Sequence, residues 1–371
     1  MKFDEADAVF VRTPLVDPRT PDTSDLDFLA FADIPELYPE RLHTNDGRSA
    51  MCDVTWVPSA WLDNPRQMAA RGLIAHRLAS SEPLFYRSSE VEARCTASIG
   101  HLYQPDIQHQ RLLGFFEMAF LTVREIGITW NFPGLALFWV HMAYAGCLAA
   151  ALDGMRKLCP NVYTRPLEYA DQLESSIYTG VRNAMVRDLR LDVDGSQVAA
   201  AVRRIHDVVA MRFPEPAWPD VMRATTRFEY RYWLAGEESD WRLSVAEEMR
   251  RRGDAADAVY YLRFYAYALA RAPMVHARAL EGRDVSYLRP EKAVLPDLLR
   301  WCPEIVDDLN VVFTGTRAPD ITVVEDALSG LHRFRELVLA ALSRSHAPAL
   351  TLPSWAPYVS PVSVSEAPCQ T

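Results

Sequence analysis

The sequence predicts an all-α protein, a single large helical bundle, and three observations carry that expectation. Apolar residues recur with helical spacing from about residue 65 to about residue 345, with no Gly/Ser-rich or Pro-rich linker between the patterns. The segment from Phe132 to Leu152 is apolar throughout apart from the ring of His141. Alternating strand patterns and hairpin turn signals are nearly absent.

Residues 1–64 are rich in Pro and Asp, with short apolar patches such as Leu26-Asp-Phe-Leu-Ala-Phe31, and read as an irregular N-terminal arm. Helices are expected over about 65–79, 89–102 and onward from Pro105, which suits a first-turn position. The next run over about 134–158, closed by Pro160, and about 167–189, closed by Asp192-Val-Asp-Gly195. Ser196 is the expected N-cap of a helix through Val208 and Met211. Further helices are expected over about 219–234, 241–252, 254–270, 291–299, 303–313 and 322–343, with Gly253 as a break. Residues 346–371 are Pro-, Ser- and Val-rich and read as an irregular tail.

Length alone would let Phe132–Leu152 span a membrane. Pro133 and Gly134 at its start, its many Ala and Gly residues and its isolation favour the central helix of a bundle. The chain has 371 residues and a formal charge of −10, which argues against nucleic acid or an anionic membrane as a general partner. Six cysteines without a CxxC pair, and an acidic N-terminus, predict free thiols in a reducing, cytoplasmic setting.

Several chemistries lack a motif: GxGxxG, GxxxxGK[ST], GxSxG and HExxH are all absent. A di-iron carboxylate bundle needs two ExxH pairs, and only Glu40-Arg-Leu-His43 is present. His101 and His109 are separated by a Pro-containing break and make a poor ligand pair.

The ordered pieces Glu229-Tyr-Arg-Tyr-Trp233, Glu247-Glu-Met-Arg-Arg-Arg-Gly253, Val259-Tyr-Tyr-Leu-Arg263 and Ile305-Val-Asp-Asp-Leu-Asn310 lie in the second half of the chain. Together they resemble the second half of class I terpene cyclases. The resemblance implies a bundle of the class I terpenoid synthase type that uses Mg²⁺ to ionise an allylic prenyl diphosphate. Farnesyl diphosphate would be cyclised to a sesquiterpene with release of diphosphate, and a homodimer is allowed. It implies Arg263 as diphosphate ligand, with Asp307, Asp308 and Asn310 as metal ligands. The family's first DDxxD is missing; Asp153, the pair Asp171 and Glu174, or Arg124-Glu125 stand as alternatives for it.

The chemistry asked of these residues is coherent. Carboxylates and phosphate oxygens share a hard cation; a guanidinium grips phosphate with two N–H groups; aromatic faces shelter a carbocation. Phe138, Tyr144, Tyr260 and Phe264 are the candidate lining. The same residues admit plain structural roles: acidic side chains near a helix N-terminus, a partner-paired core arginine, a packed aromatic stripe. A non-catalytic helical protein and a metal-dependent oxygenase bundle are the alternatives to a cyclase.

Overall fold

The computed structural model describes residues 5–12, 26–33, 42–43, 49–50, 52–130, 132–173, 178–214, 233–281 and 301–344. The protein is mostly helical, but it is not all-α, because the N-terminal region carries a small mixed sheet. The expectation of an irregular arm over 1–64 is therefore corrected. Strands β1 (Ala8–Arg12), β2 (Leu26–Phe31), β5 (Cys52–Val57) and β6 (Glu82–Tyr86) stand in the order β5-β2-β1-β6. A two-residue antiparallel pair, β3 (Leu42–His43) and β4 (Ser49–Ala50), lies between β2 and β5 in sequence. Strand β1 runs antiparallel to both β2 and β6, whereas β2 and β5 are parallel, with Asp27 paired to Asp53.

The sheet escaped the alternation test for a physical reason. Ala8, Phe10, Leu29, Phe31 and Val57 pack on one face with Leu62, Met68, Leu78 and Cys95, while Val9, Val11, Phe28, Ala30 and Val54 form a second apolar cluster on the other. A strand buried on both faces reads as a continuous apolar run, the same signal a buried helix gives.

The helices follow the expected order with local differences. The first expected helix is two, α1 (Pro65–Ala69) and α2 (Gly72–Ser80), because Gly72 takes a left-handed φ of +47° between them. Then come α3 (Ser89–His101), α4 (Pro105–Ile128), α5 (Pro133–Gly154), α6 (Pro166–Leu173), α7 (Val181–Asp188) and α8 (Gly195–Arg212). The single helix expected over 167–189 is thus α6 and α7, with Gly180 left-handed before α7. The α8 cap is Asp194, not Ser196: its side chain accepts from the Ser196 N–H at 2.9 Å. Helices α9 (Gly236–Arg251), α10 (Ala255–Leu280), α11 (Val306–Thr314) and α12 (Thr322–Arg344) complete the bundle. The helix expected over 291–299, most of that over 219–234, and the tail over 346–371 lie outside the described residues.

Helix α5 is buried around nearly its whole circumference, from Gly134 to Asp153. It alone among the described helices is long and apolar enough to cross a membrane, and it lies inside the protein, against α4, α11 and α12. Close approach to α12 depends on Gly330. A Cβ there would enter the shell of Asp188 Oδ2 and stand 2.7 Å from the hydroxyl of Tyr144, which donates to that carboxylate at 2.8 Å.

Gly330→Ala should therefore destabilise the fold by about 1–3 kcal/mol through overpacking. Gly100→Ala, on α3 with open space around it, should be neutral or gain about 0.5–1 kcal/mol. Urea unfolding followed by circular dichroism measures both; equal midpoints for the two variants would contradict the packing described.

Candidate functional site

Arg263 is the residue whose surroundings differ most from the expectation. It sits on α10 with 1% of its surface exposed. Its Nε donates to Val312 O at 2.8 Å, Nη1 to Leu189 O at 2.5 Å and Nη2 to Arg190 O at 2.8 Å, and Nη1 lies 3.1 Å from His141 Nε2. Those carbonyls belong to the C-terminal ends of α7 and α11, where helix carbonyls lack partners within their own helix. Arg263 caps two helices, so its N–H groups are spent on the backbone and do not face a diphosphate. Burial lowers its pKa to about 9, and burial together with the neighbouring cation holds His141 neutral, well below its usual range.

Asp153 is also sealed. Its Oδ1 accepts from Arg111 Nε at 3.0 Å and Nη2 at 2.7 Å and lies 3.0 Å from His76 Nε2, and all three side chains are fully buried. Arg111 Nη1 also donates to Ala69 O at 2.7 Å, and Cys159 N–H donates to His76 Nδ1 at 3.2 Å. Asp153 is a structural anion with no route to a metal in solvent, which corrects the expectation for it.

The remaining candidates do not converge with these two. Asp308, on the first turn of α11, accepts from Arg204 Nε at 3.1 Å and Nη2 at 2.6 Å, and this pairing raises the Arg204 pKa. Asp307 beside it is exposed. Asn310 donates to Arg317 O at 3.2 Å, and a Cβ on Gly134 would sit 2.8 Å from its Oδ1, so it is a packing contact against the start of α5. Asp171 pairs with Arg182 at 3.5 Å and not with Asp307 or Asp308; Glu174 lies outside the described residues, as does the side chain of Glu125.

The aromatic candidates are packed on protein. Phe138 stacks on Tyr267 with centroids 3.8 Å apart and meets Phe313 edge-on; Tyr144 stacks on Phe334; Tyr260 stacks on His141 and donates to Tyr163 O; Phe264 meets Trp233 edge-on. Rings so paired are packed in the core, although Tyr260 also reaches the wall of a cleft in the helical bundle.

A different constellation, unread in the sequence, lies at one corner of the sheet. The register pairs Arg12 with Asp27 and Asp27 with Asp53, so three charged positions stand abreast across β1, β2 and β5. Positions paired in register share a face of the sheet. Asp25, two residues before Asp27, gives an Asp-x-Asp sequence and lies outside the described residues. Asp27 Oδ2 accepts from Asn161 Nδ2 at 3.1 Å, leaving Oδ1 without a protein donor in that contact. Arg12 Nη2 donates to the Tyr169 hydroxyl at 3.5 Å, while its Nη1 is buried with no partner among the described residues. Arg77 holds the neighbouring strand, bonding Thr55 Oγ1 and donating to Pro160 O at 3.3 Å. A readable signal did exist: Asp-Leu-Asp before Phe28–Phe31, and Asp53 before Val54-Thr-Trp-Val57, are acids opening β-branched and aromatic runs.

The turn after Cys159 links this corner to a cleft of about 90 Å³ in the helical bundle, lined by Thr164, Arg165, Asp171, Arg182, Asp254 and Asp257 among others. Arg182 bridges Asp257 at 2.9 Å and Asp171 at 3.5 Å. Burial raises the Asp257 pKa, opposed by Arg182. Such a cleft is small beside the roughly 300–1,000 Å³ that encloses a drug-sized ligand. Among the described residues no three His, Cys, Asp or Glu side chains are gathered as a metal site; the side chain of Asp53 is not among those described. No protein-family model matches the chain, and no curated protein matches it.

Asp153→Asn should destabilise the protein by about 3–5 kcal/mol, because Arg111 is left as a buried charge without its anion. A urea-unfolding midpoint within error of the wild type would show that the Arg111–Asp153 pair carries no such role.

Proposed function

We propose that this chain transfers a nucleotidyl group from a nucleoside triphosphate to an acceptor, using Mg²⁺ held at the sheet corner. The observation that carries the reading is the in-register pair Asp27 and Asp53 on adjacent parallel strands, beside an arginine with a buried N–H group that has no partner among the described residues. Hard oxygen donors on neighbouring strands fit a hard divalent cation that also takes phosphate oxygens. Asp27 and the position paired with it, Asp53, are the residues that would hold it. A bound pair of such ions would stabilise charge on the attacking and leaving oxygens of an in-line displacement.

The chain's own residues account for the rest. The spare guanidinium N–H of Arg12 suits a phosphate oxygen, where an Arg donor is strongest. Asn161 fixes one oxygen of Asp27. In the transfer, an acceptor oxygen bonds to the α-phosphorus, the bond from that phosphorus to the bridging oxygen breaks, and diphosphate leaves. The acceptor proton passes to solvent. Attack at the α-phosphorus is preferred over γ-phosphoryl transfer because the sequence has no Gly-rich phosphate loop of either common kind.

Prenyl diphosphate cyclisation by a terpenoid-synthase-type bundle is the second reading. What favours it is Asp307, exposed beside Asp308 on the first turn of α11, against a central helix buried on all sides. The commitment of Arg263 to backbone carbonyls and the stacking of Phe138 weigh against it. A helical protein without catalysis would bind neither diphosphate compound.

Both reactions release diphosphate, so the substrate and co-product separate them. The expected outcome is Mg²⁺-dependent diphosphate release from a nucleoside triphosphate in the presence of a pool of small hydroxyl compounds. The α-phosphate label should appear on the acceptor and the γ-label in diphosphate. Asp27→Asn and Asp53→Asn should each lower the rate at least about a hundredfold. Diphosphate and hydrocarbon from farnesyl diphosphate, unaffected by Asp27→Asn and lost in Asp307→Ala, would reverse the order of the two readings. Thermal stability unmoved by Mg²⁺ with either compound would leave the non-catalytic one.

A further inference from the structure

The turn from Cys159 to Arg165 is built to present a single amide. Asn161 O accepts from the Thr164 N–H at 3.0 Å, the Arg165 N–H at 2.9 Å and Thr164 Oγ1 at 3.1 Å, and the Asn161 N–H donates to the Tyr169 hydroxyl at 3.4 Å. Both backbone polar groups of Asn161 are thus occupied. On one side the turn is tied to the buried His76 by the Cys159 N–H. On the other, the Tyr260 hydroxyl donates to Tyr163 O at 3.2 Å. With its backbone N–H and C=O both held, Asn161 starts its side chain from a fixed Cα, and its amide donates to Asp27 Oδ2 at 3.1 Å across a sequence separation of 134 residues.

We infer that Asn161 is a positioning residue: the helical bundle uses its amide to set the orientation of the Asp27 carboxylate for metal. This rests on the proposed metal centre at the sheet corner. A carboxylate rotates freely about its last bond in water, and a fixed donor on one oxygen leaves the other presented in one direction. Hydrogen-bonding partners behind a metal ligand act in this way, and their loss costs about 10–100-fold in metal affinity. The Tyr169 hydroxyl extends the device, because it also accepts from Arg12 Nη2 at 3.5 Å. One rigid turn therefore steadies both the carboxylate and the arginine of the corner. The same turn lends Thr164 and Arg165 to the wall of the cleft.

The test is a Mn²⁺ titration of the full chain, following the free ion by its paramagnetic signal, with unfolding midpoints recorded alongside. Wild type should bind and Asp27→Asn should not. Asn161→Ala should keep the stoichiometry and bind about tenfold more weakly, with an unfolding midpoint close to that of the wild type. Tyr169→Phe removes the hydroxyl anchor and leaves the amide in place, so it should weaken binding by a smaller factor, about two- to fivefold. It also supplies the answer if Asn161→Ala does not fold. Mn²⁺ affinity within twofold of wild type in both variants, with binding still lost in Asp27→Asn, would overturn the positioning role and leave the centre standing. Unchanged binding in Asp27→Asn and Asp53→Asn would overturn the centre itself and the role with it.

Discussion

A carboxylate with no exposed surface must be matched by cations and donors, and the architecture of this protein is arranged around that demand at Asp153. Its partners come from three places: Arg111 on α4, His76 on α2, and, through Arg111, the carbonyl of Ala69 at the end of α1. Helices α1 and α2 pack under the sheet, whereas α4 and α5 belong to the bundle. One buried charge cluster thus joins the two layers and, by the Cys159 N–H on His76, pins the turn that reaches the sheet corner. Such a pair need not stabilise the fold more than apolar residues of the same volume would. What it does impose is geometry, since a displacement of α4 against α5 leaves a buried charge unpaired.

Arg263 solves the opposite problem. The carbonyls of Leu189 and Val312 at the ends of α7 and α11 lie on buried residues, and an unpaired buried carbonyl costs about 1–3 kcal/mol. A guanidinium presents several N–H groups in one plane, enough for Leu189, Arg190 and Val312 together. Arg190 itself takes a left-handed φ of 54°, the conformation that turns a chain out of a helix end. The depression of the Arg263 pKa and the neutrality of His141 are consequences of this burial, and neither marks a catalytic group.

These two residues explain why the sequence was informative about helices and misleading about the site. The bundle was legible because helical spacing survives in α4, α8 and α12 and because α5 is too apolar to lie anywhere but inside. Spacing records which residues are buried, but not why a polar residue is buried among them. Arg263 on an aromatic helix has the same pattern whether it grips a phosphate or caps two helices. Strands β1 and β2 were hidden because apolar residues lie buried on both their faces, which removes the polar half of the alternation. The corner was hidden further by distance in sequence, since Asp27 meets Asn161 only once the bundle has folded.

That distance has a mechanistic meaning. Arg12, Asp27 and Asp53 lie within the first 53 residues, and the contacts that hold Arg12 and Asp27 come from outside the sheet. The bundle supplies an amide from Asn161, a hydroxyl from Tyr169 and a carbonyl from Pro160 that receives Arg77, all from elements after α5. Those contacts exist only when the sheet and the bundle are docked, and docking is governed by the Asp153 cluster. A chain in which that cluster is broken would keep Asp27 and lose the hold on the turn that brings Asn161 to it. Competence of the proposed centre would therefore be tied to assembly of the whole fold, because the turn that carries Asn161 is held to His76 of the Asp153 cluster.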